Sequence, residues 1–148
     1  VEDKAVVSRK AADLLAGRPH FRKELEVKLL KRGYDQEIVT AVLDDFEERA
    51  YLNDKDNALS YMDELKRKRY GRYEAIRKLV SKGLDHATAS QITSTFFLEN
   101  DEIENIRYLL DKRRFNLKDL AEQKKAYDFL VRRGFSGDLV RRVVKIED

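Results

Sequence analysis

Cysteine and tryptophan are absent from these 148 residues, and proline and methionine occur once each. Without cysteine there is no disulfide framework, no thiolate metal site and no thiol nucleophile. That usage suits a reducing, cytoplasmic setting. No apolar run approaches the ~18 residues a membrane helix needs, so no membrane association is expected. No basic-then-apolar leader opens the chain, and export is not expected either. The first residue is Val1 rather than Met, which points to a trimmed or incomplete front end. The phosphate-cradling pattern G-x-x-x-x-G-K-[ST] is missing, as are G-x-G-x-x-G and G-x-S-x-G. Only two histidines occur, His20 and His86, and neither has a second ligand at metal-site spacing. No metal or other cofactor is expected.

What is abundant is charge. Lys and Arg number 31 and Asp and Glu 28, leaving a formal balance of only +3. The layout is more informative than the sum. Between Leu65 and Gly83 eight basic residues face one acid, Glu74. Between Asp35 and Glu64 ten acids face Arg49 and Lys55. Adjacent blocks of opposite sign can orient a charged partner, or they can be solvated helix faces that pair with each other.

A repeat of about fifty residues runs through the chain. Leu29-Leu30-Lys31-Arg32-Gly33-Tyr34-Asp35 is echoed by Leu79-Val80-Ser81-Lys82-Gly83-Leu84-Asp85 and by Leu130-Val131-Arg132-Arg133-Gly134-Phe135-Ser136. The apolar pair closes a helix on a core, and the basic residue complements the negative helix end. Glycine supplies the left-handed turn, and Asp35, Asp85 and Ser136 are placed to cap the next helix. The large apolar residue between them pins the two helices. Apolar residues at helical spacing flank every copy: Ile38, Val39, Val42, Leu43 and Phe46 in the first, Ala89, Ile92 and Phe96 in the second, Leu139, Val140, Val143 and Val144 in the third. A further helix precedes each pair, carrying Ala12, Leu14 and Leu15, then Ala58, Met62 and Leu65, then Ile103, Ile106, Leu109 and Leu110. Asn53 or Asp54 is expected to cap the second of these, and Asn116 the helix after the third. The reading is an all-α fold of about nine helices in three tandem three-helix modules, 1–52, 53–100 and 101–148. The modules are small, so each is expected to lean on its neighbours in an elongated, curved array.

No residue set suggests catalysis. Asp44-Asp45 and Glu47-Glu48 lie beside Val42, Leu43 and Phe46 on one helix and read as its solvated face. Both histidines read as surface or helix-start residues. The basic clusters read as binding groups. Lys66, Arg67, Lys68, Arg69, Tyr70, Arg72 and Tyr73 combine cations with rings that can stack on unpaired bases. The same composition suits an acidic protein groove. A second tier comprises Arg113, Arg114, Arg132, Arg133, Arg141 and Arg142. Helix C-termini, which favour positive charge, account for Arg32, Lys82 and Arg133 but less well for four consecutive cations at 66–69.

The stretch from Phe21 to Tyr34, the segment Tyr51-Leu52-Asn53-Asp54, the run Tyr70-Gly71-Arg72 followed by Lys82-Gly83-Leu84, and Tyr127 to Val144 together resemble the RecX family. The resemblance spans about Arg9 to Val144. Asn53 stands where relatives are usually acidic, Asn57-Ala58 where a Phe-Ala pair is common, and the family's basic leader is short or missing. The resemblance implies a small bacterial all-α regulator that needs no cofactor and is not an enzyme. Its partner would be the RecA filament on single-stranded DNA, whose strand exchange, ATP turnover and coprotease activity it restrains during recombination, repair and the SOS response. It would act as a monomer, with possible weak direct binding to single- or double-stranded DNA. The alternative from the residues alone is a sequence-tolerant nucleic-acid-binding helical repeat protein without a RecA partner.

Overall fold

A computed structural model describes residues 3–145. Among the described residues there are nine helices and no strand. They are α1 (Lys4–Gly17), α2 (Arg22–Lys31), α3 (Gln36–Glu48), α4 (Asp54–Arg67), α5 (Arg72–Ser81), α6 (His86–Phe96), α7 (Glu99–Lys112), α8 (Leu120–Arg132) and α9 (Gly137–Val144). The three repeat glycines end α2, α5 and α8 with left-handed backbone, at φ +88°, +112° and +102° for Gly33, Gly83 and Gly134. Leu84 and Phe135 are buried behind their turns, and Tyr34 is half-buried. Asp85 caps α6 by accepting from the Thr88 N–H at 3.1 Å, and Ser136 caps α9 through the Leu139 N–H, also at 3.1 Å. The Asp35 carboxylate makes no such bond, although its backbone occupies the cap position of α3. Asn53 caps the second repeat's first helix through the Asp56 N–H, leaving Asp54 to accept from the Arg22 N–H at 2.8 Å. Asn116 holds a turn by accepting from Lys118 rather than capping a helix; α8 starts later, capped by Asp119.

The chain forms two compact units. The first comprises residues 1–60 with 81–84. Its core joins Val7 and Ala11 of α1 to Leu25 and Leu29 of α2 and to Val39, Val42, Leu43 and Phe46 of α3, closed by Leu52. The inner stripe of α1 is therefore Val7 and Ala11, with Leu14 and Leu15 half-buried and Ala12 exposed, one step away from the expected face. His20 is buried here at 2% exposure, contrary to its reading as a surface residue. Its Nδ1 lies 2.9 Å from the Arg18 carbonyl and its Nε2 2.8 Å from Lys28 Nζ. With the ring hydrogen on Nδ1, that N–H donates to the carbonyl and the Lys28 ammonium donates to Nε2. Arg22 pairs with Asp44 at 2.8 Å and with Glu47, and Arg49 with Asp45 at 3.2 Å. Part of the acidic block is thus neutralised within its own unit.

The second unit comprises residues 61–80 with 85–148. One core cluster gathers Ile106, Leu109 and Leu110 of α7, Ala126 and Leu130 of α8, Phe135, and Leu139, Val140 and Val144 of α9. Met62, Leu65, Ala75, Ile76, Leu79, Ala89 and Phe97 are buried as well. In α6 the buried face is Ala89 and Thr93, while Ile92 and Phe96 are half-buried. No helix among the described residues is long and apolar enough to cross a membrane.

One junction organises this unit. A helix start leaves amide donors unpaired, and at α5 residues from the third repeat satisfy two of them. The Gly71 N–H donates to the Arg133 carbonyl at 2.9 Å and the Tyr73 N–H to the Gly134 carbonyl at 3.0 Å. Between them, the Arg72 amide acts electrostatically on the buried Glu102 carboxylate. In return, the Arg133 guanidinium donates to the carbonyls of Lys68 and Arg69 at the end of α4. Such close backbone approach needs glycine on both sides. A Cβ on Gly71 would fall within 3 Å of Gly134 and Phe135 backbone, and one on Gly134 within 3 Å of Glu74 backbone.

Candidate functional site

All thirteen residues expected to bind a partner lie in the second unit. The structure gives them three different roles. Arg69 and Arg133 hold the fold. Arg69 has left-handed backbone at φ +58°, donates to Asn105 Oδ1 at 2.7 Å, and lies 3.7 Å from the Tyr108 ring centroid. Arg133, besides tying down α4, lies 4.6 Å from the Tyr70 ring. Tyr70 also has Lys78 Nζ at 5.0 Å, so its π face already serves two cations.

A second group forms an exposed basic surface built on these stitches. Arg113, at the end of α7, sits 4.2 Å from the Phe129 ring, which also has Arg133 at 6.0 Å. Lys112 Nζ lies 5.6 Å from the Tyr108 ring. The succession Lys78, Tyr70, Arg133, Phe129, Arg113 alternates cation and ring. A cation over a ring keeps its charge while losing mobility, so the ordering cost of meeting an anion is already partly met. Arg67, Arg114 and Arg132 are exposed nearby in sequence. Lys68 is paired with Glu64 at 3.0 Å across the boundary of the two charge blocks. Lys66 turns to Phe96, 6.0 Å from its ring, and Arg142 pairs with Glu99 at 2.9 Å.

The third group lines a groove. Tyr73, 48% exposed, opens into two adjoining hollows of about 430 and 420 Å³. Arg141 lines the first and Arg72 the second. Arg77, Val80, Val131, His86 and Ser90 also line the walls and were not among the binding residues expected from the sequence. The spacing Tyr73, Ile76, Arg77, Val80 follows i, i+3, i+4, i+7 along one helix face and could have marked them. His86 sits exposed at the first turn of α6. No cluster of metal-ligating side chains exists among the described residues.

Glu102 was not legible in the sequence at all. It is 2% exposed, and its Oε2 has no hydrogen-bond partner among the described residues. Burial pushes its carboxyl up from 4.5 to about 7, against the opposing pull of the Arg72 amide and side chain, with Glu99 adding to the rise. An acid whose folded pKa is raised binds more protons folded than unfolded. The stability it contributes is full below about 4.5 and is lost as pH rises through about 7. Glu102→Gln, which keeps the acceptor for Arg72, is expected to remove that slope. Urea melts at pH 5 and pH 8 should differ by about 1–3 kcal/mol more in the parent than in the variant; equal differences would refute it.

Comparison with known proteins resolves the family. Residues 9–46 match the family description "RecX, first three-helix domain" and residues 100–144 match "RecX, third three-helix domain". The chain is 33% identical over 142 residues to the regulatory protein RecX of Xanthomonas axonopodis pv. citri (strain 306), covering 94% of this chain and 86% of that one. The chain belongs to the RecX family. The regulatory protein RecX of Stenotrophomonas maltophilia (strain K279a) is 34% identical over 142 residues, with 94% and 85% coverage. The crystal structure of RecX from Lactobacillus salivarius superposes with a TM-score of 0.85 at 21% identity, covering 97% of this chain and 95% of that chain. At that identity the likeness speaks for the fold, which is all-α as the repeats predicted and RecX-like as the resemblance implied. Membership makes this a RecX-type regulatory protein. The basic surface and the groove both lie in its second unit, where α7, α8 and α9 carry the third RecX domain.

Proposed function

We propose that the protein is a non-enzymatic cytoplasmic regulator that docks as a monomer on the RecA–single-stranded DNA filament. It restrains strand exchange, ATP turnover and coprotease activity by occupying the filament rather than by making bonds. The observation that carries this reading is the ring-stacked basic surface. Lys112 and Arg113 present positive charge on fixed aromatic supports, which suits phosphates spaced along a strand. The three-repeat sequence supports contact with several protomers at once. Multivalent contact raises effective concentration, so weak individual contacts suffice. Family membership supports RecA as the partner.

The experiment adds the purified protein to RecA filaments on single-stranded DNA and follows ATPase activity. Fluorescence anisotropy on the same naked oligonucleotide, at the same salt, runs in parallel. Inhibition of ATPase at concentrations well below those that saturate naked DNA is the expected result. Tight, steeply salt-dependent binding to naked DNA with no effect on the filament would favour the second reading, a sequence-tolerant DNA-binding repeat, which the basic surface also suits.

A further inference from the structure

The second unit offers two surfaces of different chemistry, and only one of them suits phosphates. On the basic surface the cations lean on rings. In the groove Arg72 and Arg141 also lean on rings, 5.4 Å from Tyr73 and 5.1 Å from Tyr127, but two of its cations are already partly answered by acids: Arg77 pairs with Glu74, and Arg141 lies 3.6 Å from Asp138. Asp138 itself lines the first hollow. A nucleic-acid strand brings a negative charge with every nucleotide and cannot skip that carboxylate; a peptide can. The groove also has an aliphatic component. Val80 and Val131 are 38% and 37% exposed, and Ile76 and Phe135 lie beneath them as lining residues. Tyr and Arg around an apolar floor is the composition of a protein hot spot. Arginine forks at the rim match carboxylates in two-point geometry.

We propose that the groove formed by the Tyr73–Val80 stripe of α5, the start of α6, Val131 and the 136–141 segment is a docking site for a protein segment. That segment carries an aliphatic or aromatic anchor flanked by acidic side chains, the carboxylates meeting Arg72 and sharing the exposed Arg77 with Glu74. The inference rests on the filament-docking reading, because it takes the filament's protein protomers as the bearer of that segment. The division of labour is then spatial: DNA phosphates on the ring-stacked surface, protein in the groove.

The test uses the full chain with Val80→Ser and Val131→Ser combined, a change that leaves charge untouched. Co-sedimentation with RecA filaments and anisotropy with naked oligo(dT) are measured at one salt concentration. Circular dichroism confirms the fold, and Val80→Ile with Val131→Ile serves as the apolar rescue. The filament Kd is expected to rise by about tenfold or more while the oligo(dT) Kd changes by less than about twofold. Arg77→Glu is expected to weaken filament binding by at least as much. An unchanged filament Kd in both variants overturns the proposal. Equal losses on filament and oligo(dT) overturn it in favour of a nucleic-acid groove. Light scattering that detects self-association in the parent, abolished by the serine pair, overturns it in favour of a second copy as occupant. Failure of the parent itself to bind filaments is a separate result, which removes the filament-docking reading and this inference with it.

Discussion

Gly134→Ala is expected to lower the melting temperature by about 6–12 °C, equivalent to a loss of roughly 3 kcal/mol. Two costs combine. At φ +102° an L side chain is strained wherever it is placed. The new Cβ would also meet the backbone and Cβ of Glu74 within 3 Å. Backbone cannot step aside as a flexible side chain can, so the start of α5 must lift from the α8–α9 turn. That breaks the hydrogen bonds from Gly71 and Tyr73 and withdraws Arg133 from the end of α4. Gly33→Ala is the control, since Gly33 is left-handed too but has nothing within 4 Å of its added Cβ. It should cost about 1–2 kcal/mol from backbone conformation alone. Differential scanning calorimetry of the two variants isolates the docking contribution as their difference, and equal losses would show that the junction contributes nothing.

Neutralising the end of α7 is expected to weaken binding to single-stranded DNA by about tenfold or more at physiological salt and to lower the slope of log affinity against log salt by about 2. The variant combines Lys112→Gln, Arg113→Gln and Arg114→Asn. Asparagine is chosen at 114 because that residue has φ +55°, a conformation it tolerates better than most side chains. Three phosphate contacts at about 0.7 each give the predicted change in slope. Removing cations from a helix C-terminus also costs about 0.3–1 kcal/mol apiece, so melting curves must accompany the titrations. An unaltered salt slope in a folded variant would take this surface out of the DNA contact. It would leave Arg67, Lys68, Arg132 and Arg142 as the exposed candidates outside the groove.

Local signals were legible because the physics behind them is local. Glycine at positive φ, a capping side chain and an apolar stripe act within one or two helical turns. The three glycine turns and the caps at Asp85 and Ser136 could therefore be read directly. The same logic overreached at Asp35, which sits in the right place without making the bond. It also misplaced the inner face of α1 by one step and took His20 for a surface residue. The basic run at 66–69 shows the limit most clearly. As a string, its four cations are alike. In the fold, Lys66 lies by Phe96, Lys68 pairs with Glu64, Arg69 is locked against Tyr108 and Asn105, and Arg67 is exposed. Which cation meets a ring is decided by residues about 30 to 65 positions away, and no periodicity encodes that. Glu102 is the extreme case. In the sequence it is one acid among the acids opening α7. Only the docking of α5 on the third repeat makes it a buried acceptor.

In most helices the opening amides are the first to trade protons with water, since nothing covers them. At α5 those of Gly71 and Tyr73 are sealed by the carbonyls of residues 133 and 134. Isotope labelling should therefore find them among the slow sites, released together with α8 and α9. The chain's middle has lost the freedom to fray by itself, which makes a covalent repeat behave here as one cooperative folding block.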